Sequence, residues 1–360
     1  MTNVVHLTFP SRARGRADRL AALTASFAAD RRSQDDVFWL KENAELLNIF
    51  ESTGAGPDDR ALAAYAAFYD KVEKRLAFFP QYYRFLLSMT LDLEDLGMPG
   101  DKGEALVHWA SQQGLAEAEI SDLQRAEARR LMCRRGCDLA DPGLTDRLLH
   151  FIARPATFAM PNKKAAYELT HTIFYLTEYG RQPFDFGPEI ARSLAYGGTL
   201  AYLDRNADLL AEICVALRFA ACPVPMIWDE WLSGHTAGFV TAEGDRAAPA
   251  RDDYHEFLVC NWSRALAGAE SFAAPLPFGP MSFHSARPGA TPLRQMSQLM
   301  LDLDDARSGD WHVMRGTVEH ALDAEARDVL QEAEAACPDF DGFFAGFARA
   351  GQAMPLRMPA

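Results

Sequence analysis

The stretch Asn162–Phe186, NKKAAYELTHTIFYLTEYGRQPFDF, decides the fold. It reads as one helix over 163–179, ended by Gly180. Wound at about 100° per residue, Lys164, Glu168, His171, Tyr175 and Glu178 share a narrow polar stripe. Ala, Leu, Ile, Phe, Tyr and Thr fill most of the remaining circumference. A helix that is apolar almost all round is a buried one. Two carboxylates and a histidine in line on such a helix mark a cavity or a site.

Working outward, the same punctuation recurs along the chain. Helices are expected at about 13–31, 35–52, 58–78, 80–96, 102–113, 116–135, 143–153, 163–179, 188–203, 206–221, 224–233, 252–267, 293–305 and, with breaks, 310–350. Gly54, Gly97, Gly114, Gly136 and Gly180 follow apolar-periodic segments, where a C-cap needs positive φ. Pro57, Pro80, Pro142, Pro188 and Pro225 sit near helix starts, where a missing N–H costs little. The only alternating run is VVHLTF, residues 4–9, and one strand has no partner. The fold class is therefore all-α: an antiparallel helical bundle or α/α toroid-like array of about a dozen helices. Gly197-Gly198 inside an expected helix signals a kink or a close helix–helix approach.

Two segments resist helix assignment, Gly234–Arg251 and Gly268–Pro292. Loops of this length are covers of functional sites or disordered. The second carries Phe272, Leu276, Phe278, Met281 and Phe283, so it is expected to be anchored by packing, and the first to be the more mobile. The chain reads as a single all-α body over 1–360. A subdivision into 1–138 and 143–360, at the break Cys137–Gly143, is the alternative.

Composition narrows the function. With 49% hydrophobic and 24% charged residues, the 360-residue chain is an ordinary globular protein with a substantial core. Its net charge of −14 repels phosphate backbones and anionic lipid, so neither nucleic acid nor membrane is an expected partner. No apolar run reaches membrane-spanning length, and the N-terminus lacks the basic-then-apolar order of a signal peptide. Six sparse cysteines, four of them in expected helices, fit free thiols in a cytoplasmic chain.

Three polar exceptions stand on apolar helices. Glu168-x-x-His171 places a carboxylate and an imidazole at i, i+3, as in di-metal bundles. Glu212 is set among Ala211, Val215, Ala216 and Phe219, with Asp208 one turn earlier; a carboxylate there is costly unless paired or metal-bound. His255, after Tyr254 in Asp252-x-x-His255, falls on the face of Leu258, Val259, Trp262 and Leu266. His171, His255 and Glu212 form a candidate ligand set for a divalent metal, or an acid/base cluster. Glu168, Tyr175, Glu178, Asp208 and Tyr254 are candidate binding residues around them. The competing readings are a solvent face paired to Lys164, a core histidine capping its own helix at His255, and a Glu212 ion pair with Arg218 or Arg205.

Other groupings carry less. Cys133-x3-Cys137 has no second cysteine pair, which argues against zinc. Arg12, Arg14, Arg16 and Arg19 read as a solvated helix start. Asp92, Glu94 and Asp95, and likewise Asp302, Asp304 and Asp305, read as solvated helix ends. There is no GxGxxG, P-loop, GxSxG or HExxH.

The run ELTHTIFYLTEYG, followed by DLLAEICVALRF and YHEFLV, resembles a pattern of uncharacterised bacterial all-helical proteins. It maps onto Glu168, Leu169, Thr170, His171, Phe174, Tyr175, Thr177, Glu178, Tyr179 and Gly180, then Asp208, Glu212, Tyr254 and His255. Glu178 and Tyr179 depart from it, standing where Asp and Phe are expected. The resemblance implies a helical fold and a shared site, and transfers no activity. The function expected is an enzyme with a His/carboxylate, metal-assisted or acid/base site between helices, acting on an unknown small molecule. The alternative is a noncatalytic helical helper of a protein partner.

Overall fold

The computed structural model describes residues 12–244, 252–286, 289 and 291–350. Among these, helices dominate as expected. The first are α1 (Arg16–Ala25, continued by a π-helical turn, Ser26–Asp30), α2 (Val37–Thr53), α3 (Asp59–Ala63), α4 (Ala66–Phe78), α5 (Tyr83–Asp95), α6 (Lys102–Gln112) and α7 (Asp122–Cys133). Then come α8 (Leu144–Ile152), α9 (Pro155–Phe158), α10 (Lys163–Leu176), α11 (Gly187–Leu203), α12 (Ala207–Phe219), α13 (Met226–Ala237) and α14 (Tyr254–Leu266). The last are α15 (Pro292–Leu303), α16 (Trp311–Ala321), α17 (Ala324–Ala336) and α18 (Phe340–Ala348). No helix among the described residues is long and apolar enough to cross a membrane.

Four short strands accompany them: β1 (Arg12–Ala13), β2 (Val240–Glu243), β3 (Leu276–Pro277) and β4 (Met281–His284). β1 pairs antiparallel with β3, and β2 with β4, Thr241 standing opposite Phe283. These pairs were not expected; β2, β3 and β4 lie in the segments that resisted helix assignment, and β1 at the start of the first expected helix. Gly234–Ala237 extends α13, and Val240–Glu243 is held by the β2–β4 ladder. Residues 245–251, and the alternating run at 4–9, lie outside the described residues. Phe272, Leu276, Met281 and Phe283 are buried, as anchoring requires, whereas Phe278 is exposed.

The chain gathers into two compact units. The first comprises Met1–Ala118, Leu131–Leu139 and Thr236–Ala286; the second Glu119–Arg130, Ala140–His235 and Arg287–Ala360. In the first unit α2 is the central helix, capped by Asp36 and closed by Gly54 at φ 60°. Several polar groups inside this unit are matched. The Tyr65 hydroxyl donates to Asn43 Oδ1 at 2.7 Å, and Glu42 receives Arg31 at 3.0 Å. Asp92, expected at a solvated helix end, is fully buried and paired with Arg134 at 2.7 Å, while Arg135 reaches Glu94 and Asp95. Asp302, Asp304 and Asp305 are exposed, as expected.

In the second unit α10, α11 and α12 run up, down and up. Asn162 Oδ1 accepts from Ala165 N and Asn206 Oδ1 from Leu209 N, so both upward helices start from an asparagine cap. The glycine pair of α11 is a close approach. A Cβ on Gly198 would stand 2.3 Å from Cη2 of Trp228, and one on Gly197 3.3 Å from Cδ1 of Ile213.

α10 stops at Leu176, three residues earlier than expected. Glu178, Tyr179 and Gly180 take φ of 48°, 56° and 84° in turn. Two consecutive non-glycine residues in that region cost roughly 1–2 kcal/mol each. Their offset is visible: Tyr179 N donates to Phe174 O at 2.7 Å, its ring stacks on Phe174, and the Arg130 guanidinium lies 4.6 Å from it. Gly180 is obligatory, since a Cβ would meet the Phe219 ring at 2.6 Å. Glu178 therefore leaves the polar stripe.

Two glycines separate propensity from packing. Gly234→Ala, on an exposed turn of α13 with open space around it, should stabilise by about 0.5–1 kcal/mol. Gly198→Ala should gain the same propensity yet destabilise by about 1–2 kcal/mol net, because overpacking against a buried indole outweighs it. Urea denaturation of both variants checks the opposite signs.

Candidate functional site

Each unit carries a carboxylate–histidine grouping. In the second unit it lies where α10 meets α12. The Tyr167 hydroxyl donates to Asp208 Oδ2 at 2.9 Å, and the Thr170 hydroxyl donates to Glu212 Oε2 at 2.7 Å. The pairs advance together along both helices, which makes α10 and α12 parallel neighbours. Tyr167, Thr170 and His171 are i, i+3, i+4, and Asp208 and Glu212 are i, i+4, so each set shares one helical face.

Glu212 is only 2% exposed. A carboxylate so deep costs several kcal/mol unless hydrogen bonds and positive charge compensate. The Thr170 hydroxyl supplies one bond, and His171 Nδ1 stands 3.6 Å from Glu212 Oε2. Nδ1 also lies 2.8 Å from the Tyr167 carbonyl oxygen. That oxygen only accepts, so Nδ1 carries a proton and Nε2 is the ring's basic nitrogen in neutral His171. The Phe174 and Tyr175 rings flank the imidazole, at 5.5 and 5.9 Å. A backbone-locked imidazole beside a buried carboxylate has the donor chemistry of a Zn²⁺, Mn²⁺ or Fe²⁺ site. Arg218, weighed from sequence as a partner for Glu212, pairs with Asp229 at 2.6 Å, and Arg205 lies 3.9 Å from Glu332.

In the first unit His255 sits on the first turn of α14, its side chain 28% exposed, with Nε2 3.8 Å from Glu45 Oε1 on α2. Tyr254 hydrogen-bonds to Glu45, and burial, with the charges of Glu45 and Glu42, pushes its hydroxyl pKa up. The Arg31 guanidinium lies 5.3 Å from the Tyr254 ring and binds Asp252 at 2.7 Å.

Of the residues singled out from sequence, His171, Glu212 and Asp208 gather in the second unit, with Tyr175 against the His171 ring. Tyr254 and His255 lie together in the first. Glu168 is half-buried on α10 and hydrogen-bonds to none of the second-unit group, and Glu178 is in the turn beyond it. Sequence reasoning missed Tyr167, Thr170 and Glu45. The signal for Glu45 was faint: a carboxylate in NAELLNIF, on a helix that also carries Lys41, Glu42, Asn43, Asn48 and Glu51.

The family follows from comparison of the whole sequence: a domain of unknown function, DUF6902, whose profile matches residues 1–350. The chain belongs to the DUF6902 family. No curated protein and no solved structure matches it. Membership of DUF6902 agrees with the resemblance to an uncharacterised helical family and brings no activity with it.

Thr170 tests the hydrogen bond on which the second-unit group rests. Thr170→Val keeps the shape and removes the donor, so it should destabilise by about 1–3 kcal/mol, the cost of a buried carboxylate losing one of its hydrogen bonds. Thr170→Ser should recover most of that. Paired urea titrations at neutral pH measure the difference.

Proposed function

We propose that this DUF6902 chain is a cytoplasmic enzyme that uses a divalent cation to act on a small molecule. The observation that carries the reading is Glu212, a buried carboxylate beside an imidazole whose tautomer a backbone carbonyl fixes. Glu212 and His171 Nε2 are the proposed ligands, with Asp208, tied to Tyr167, one turn away. His255, in the first unit, is also proposed as a metal ligand; its support is the sequence pattern and the carboxylate of Glu45 beside it. Glu168, Tyr175, Glu178 and Tyr254 are the proposed substrate-side polar groups. A cation so held would lower the pKa of a bound water toward neutrality. Net charge −14 supports a small-molecule partner over nucleic acid or membrane.

One observation favours the other reading, a noncatalytic helper. The second unit has a largely apolar cleft of about 790 Å³, walled by Leu217, Val224, Met226, Ile227, Trp228 and Pro338. Clefts of that size and character bind ligands or partner side chains.

Elemental analysis separates the two. Protein expressed in metal-replete medium should carry near-stoichiometric zinc, manganese or iron. His171→Ala and Glu212→Gln should lose it while keeping a helical circular dichroism spectrum. Metal-free protein that also takes up none of the three on dialysis would leave the helper as the better account.

A further inference from the structure

Glu45 is the residue whose setting the proposed function leaves unused. It lies in the middle of α2 with a side chain 24% exposed, and its Oε2 is buried without a hydrogen-bond partner. One turn on, Asn48 is 7% exposed and its Nδ2 is likewise unpartnered. The Asn48 amide nitrogen is a donor and cannot meet a cation; it is the unmatched carboxylate oxygen, buried in a packed helix, that asks for a group protein atoms do not supply.

The other carboxylate oxygen gives the second clue. Oε1 stands 3.8 Å from His255 Nε2, too far for a hydrogen bond. Two donors bound about 2.1 Å from one tetrahedral ion stand roughly 3.4 Å apart. The separation is thus near that of two ligands sharing a cation. Lys41, the competing partner, lies 3.7 Å from Oε1 and is itself largely solvated. An ion pair of that kind contributes about 0–1 kcal/mol and leaves Oε2 unexplained. Tyr254, bonded to Glu45, limits how the carboxylate can turn.

We infer that Glu45 and His255 together ligate a divalent cation, making Glu45 a metal ligand that the sequence pattern did not reveal. The inference rests on the metal reading of the proposed function and adds a specific residue to it. Cobalt(II) is the probe, because its visible absorption reports its ligands directly. Full-length protein is stripped of metal and titrated with Co²⁺ as wild type, Glu45→Gln, His255→Gln, Glu212→Gln and Lys41→Ala. Thermal melts check the fold of each. Glu45→Gln should weaken Co²⁺ binding at least tenfold and alter the visible bands, as His255→Gln does, whereas Lys41→Ala should change neither. If Glu45→Gln misfolds, Glu45→Asp takes its place and should bind Co²⁺ with shifted bands. Wild-type affinity and bands in Glu45→Gln, alongside loss in Glu212→Gln, would overturn the role of Glu45 and leave the proposed function standing. Failure of the wild type to bind Co²⁺ would overturn both.

Discussion

The hydrogen bond from Thr170 to the buried carboxylate of Glu212 is the constraint on which the second unit's arrangement depends. A carboxylate taken out of water must find donors or positive charge, or it costs several kcal/mol. Finding the Thr170 hydroxyl requires α10 and α12 to run side by side and in step. That places Tyr167 against Asp208 one turn earlier and brings His171 to Glu212. Parallel neighbours need a return helix, and α11 is that helix, with Gly197 and Gly198 admitting Ile213 and Trp228 at close range. The turn after α10 answers to the same packing. Gly180 has no side chain because the Phe219 ring, from the end of α12, occupies its place.

Much of this was legible in the sequence because its determinants are local. Asparagine caps, glycine stops and apolar periodicity belong to neighbouring residues, and the helices fall close to where these signals put them. What stayed hidden depends on distant parts of the chain. Glu178 reads as helical by periodicity; only the ring of Phe219 reveals that the chain must turn left-handed there. Asp92 looks like a solvated helix end until Arg134, some forty residues on, is seen to pair with it. β2 and β4 hold one another across a whole helix, and neither alternates strongly enough to be read alone.

The candidate site shows the same division. The oddity of Glu212 and His171 as polar groups on apolar helices was readable, and in the second unit they are neighbours. Their means of satisfaction, a threonine hydroxyl and a backbone carbonyl, were not, since threonine is common in buried helices. Glu45 was not legible in the same way, because Lys41 one turn earlier and the adjoining Glu42 and Asn43 give that stretch of α2 the look of an ordinary solvated face. The first unit still repeats the second's theme, a carboxylate beside a histidine of another helix.

The central claim is that the carboxylate of Glu212 is buried in order to hold a cation. Anomalous diffraction from crystals grown with Mn²⁺, recorded above and below the manganese absorption edge, tests it most directly. The account predicts an edge-dependent peak about 2.0–2.3 Å from a Glu212 carboxylate oxygen and from His171 Nε2. A well-diffracting crystal with no such peak at Glu212, and with that carboxylate satisfied by protein groups alone, would contradict it.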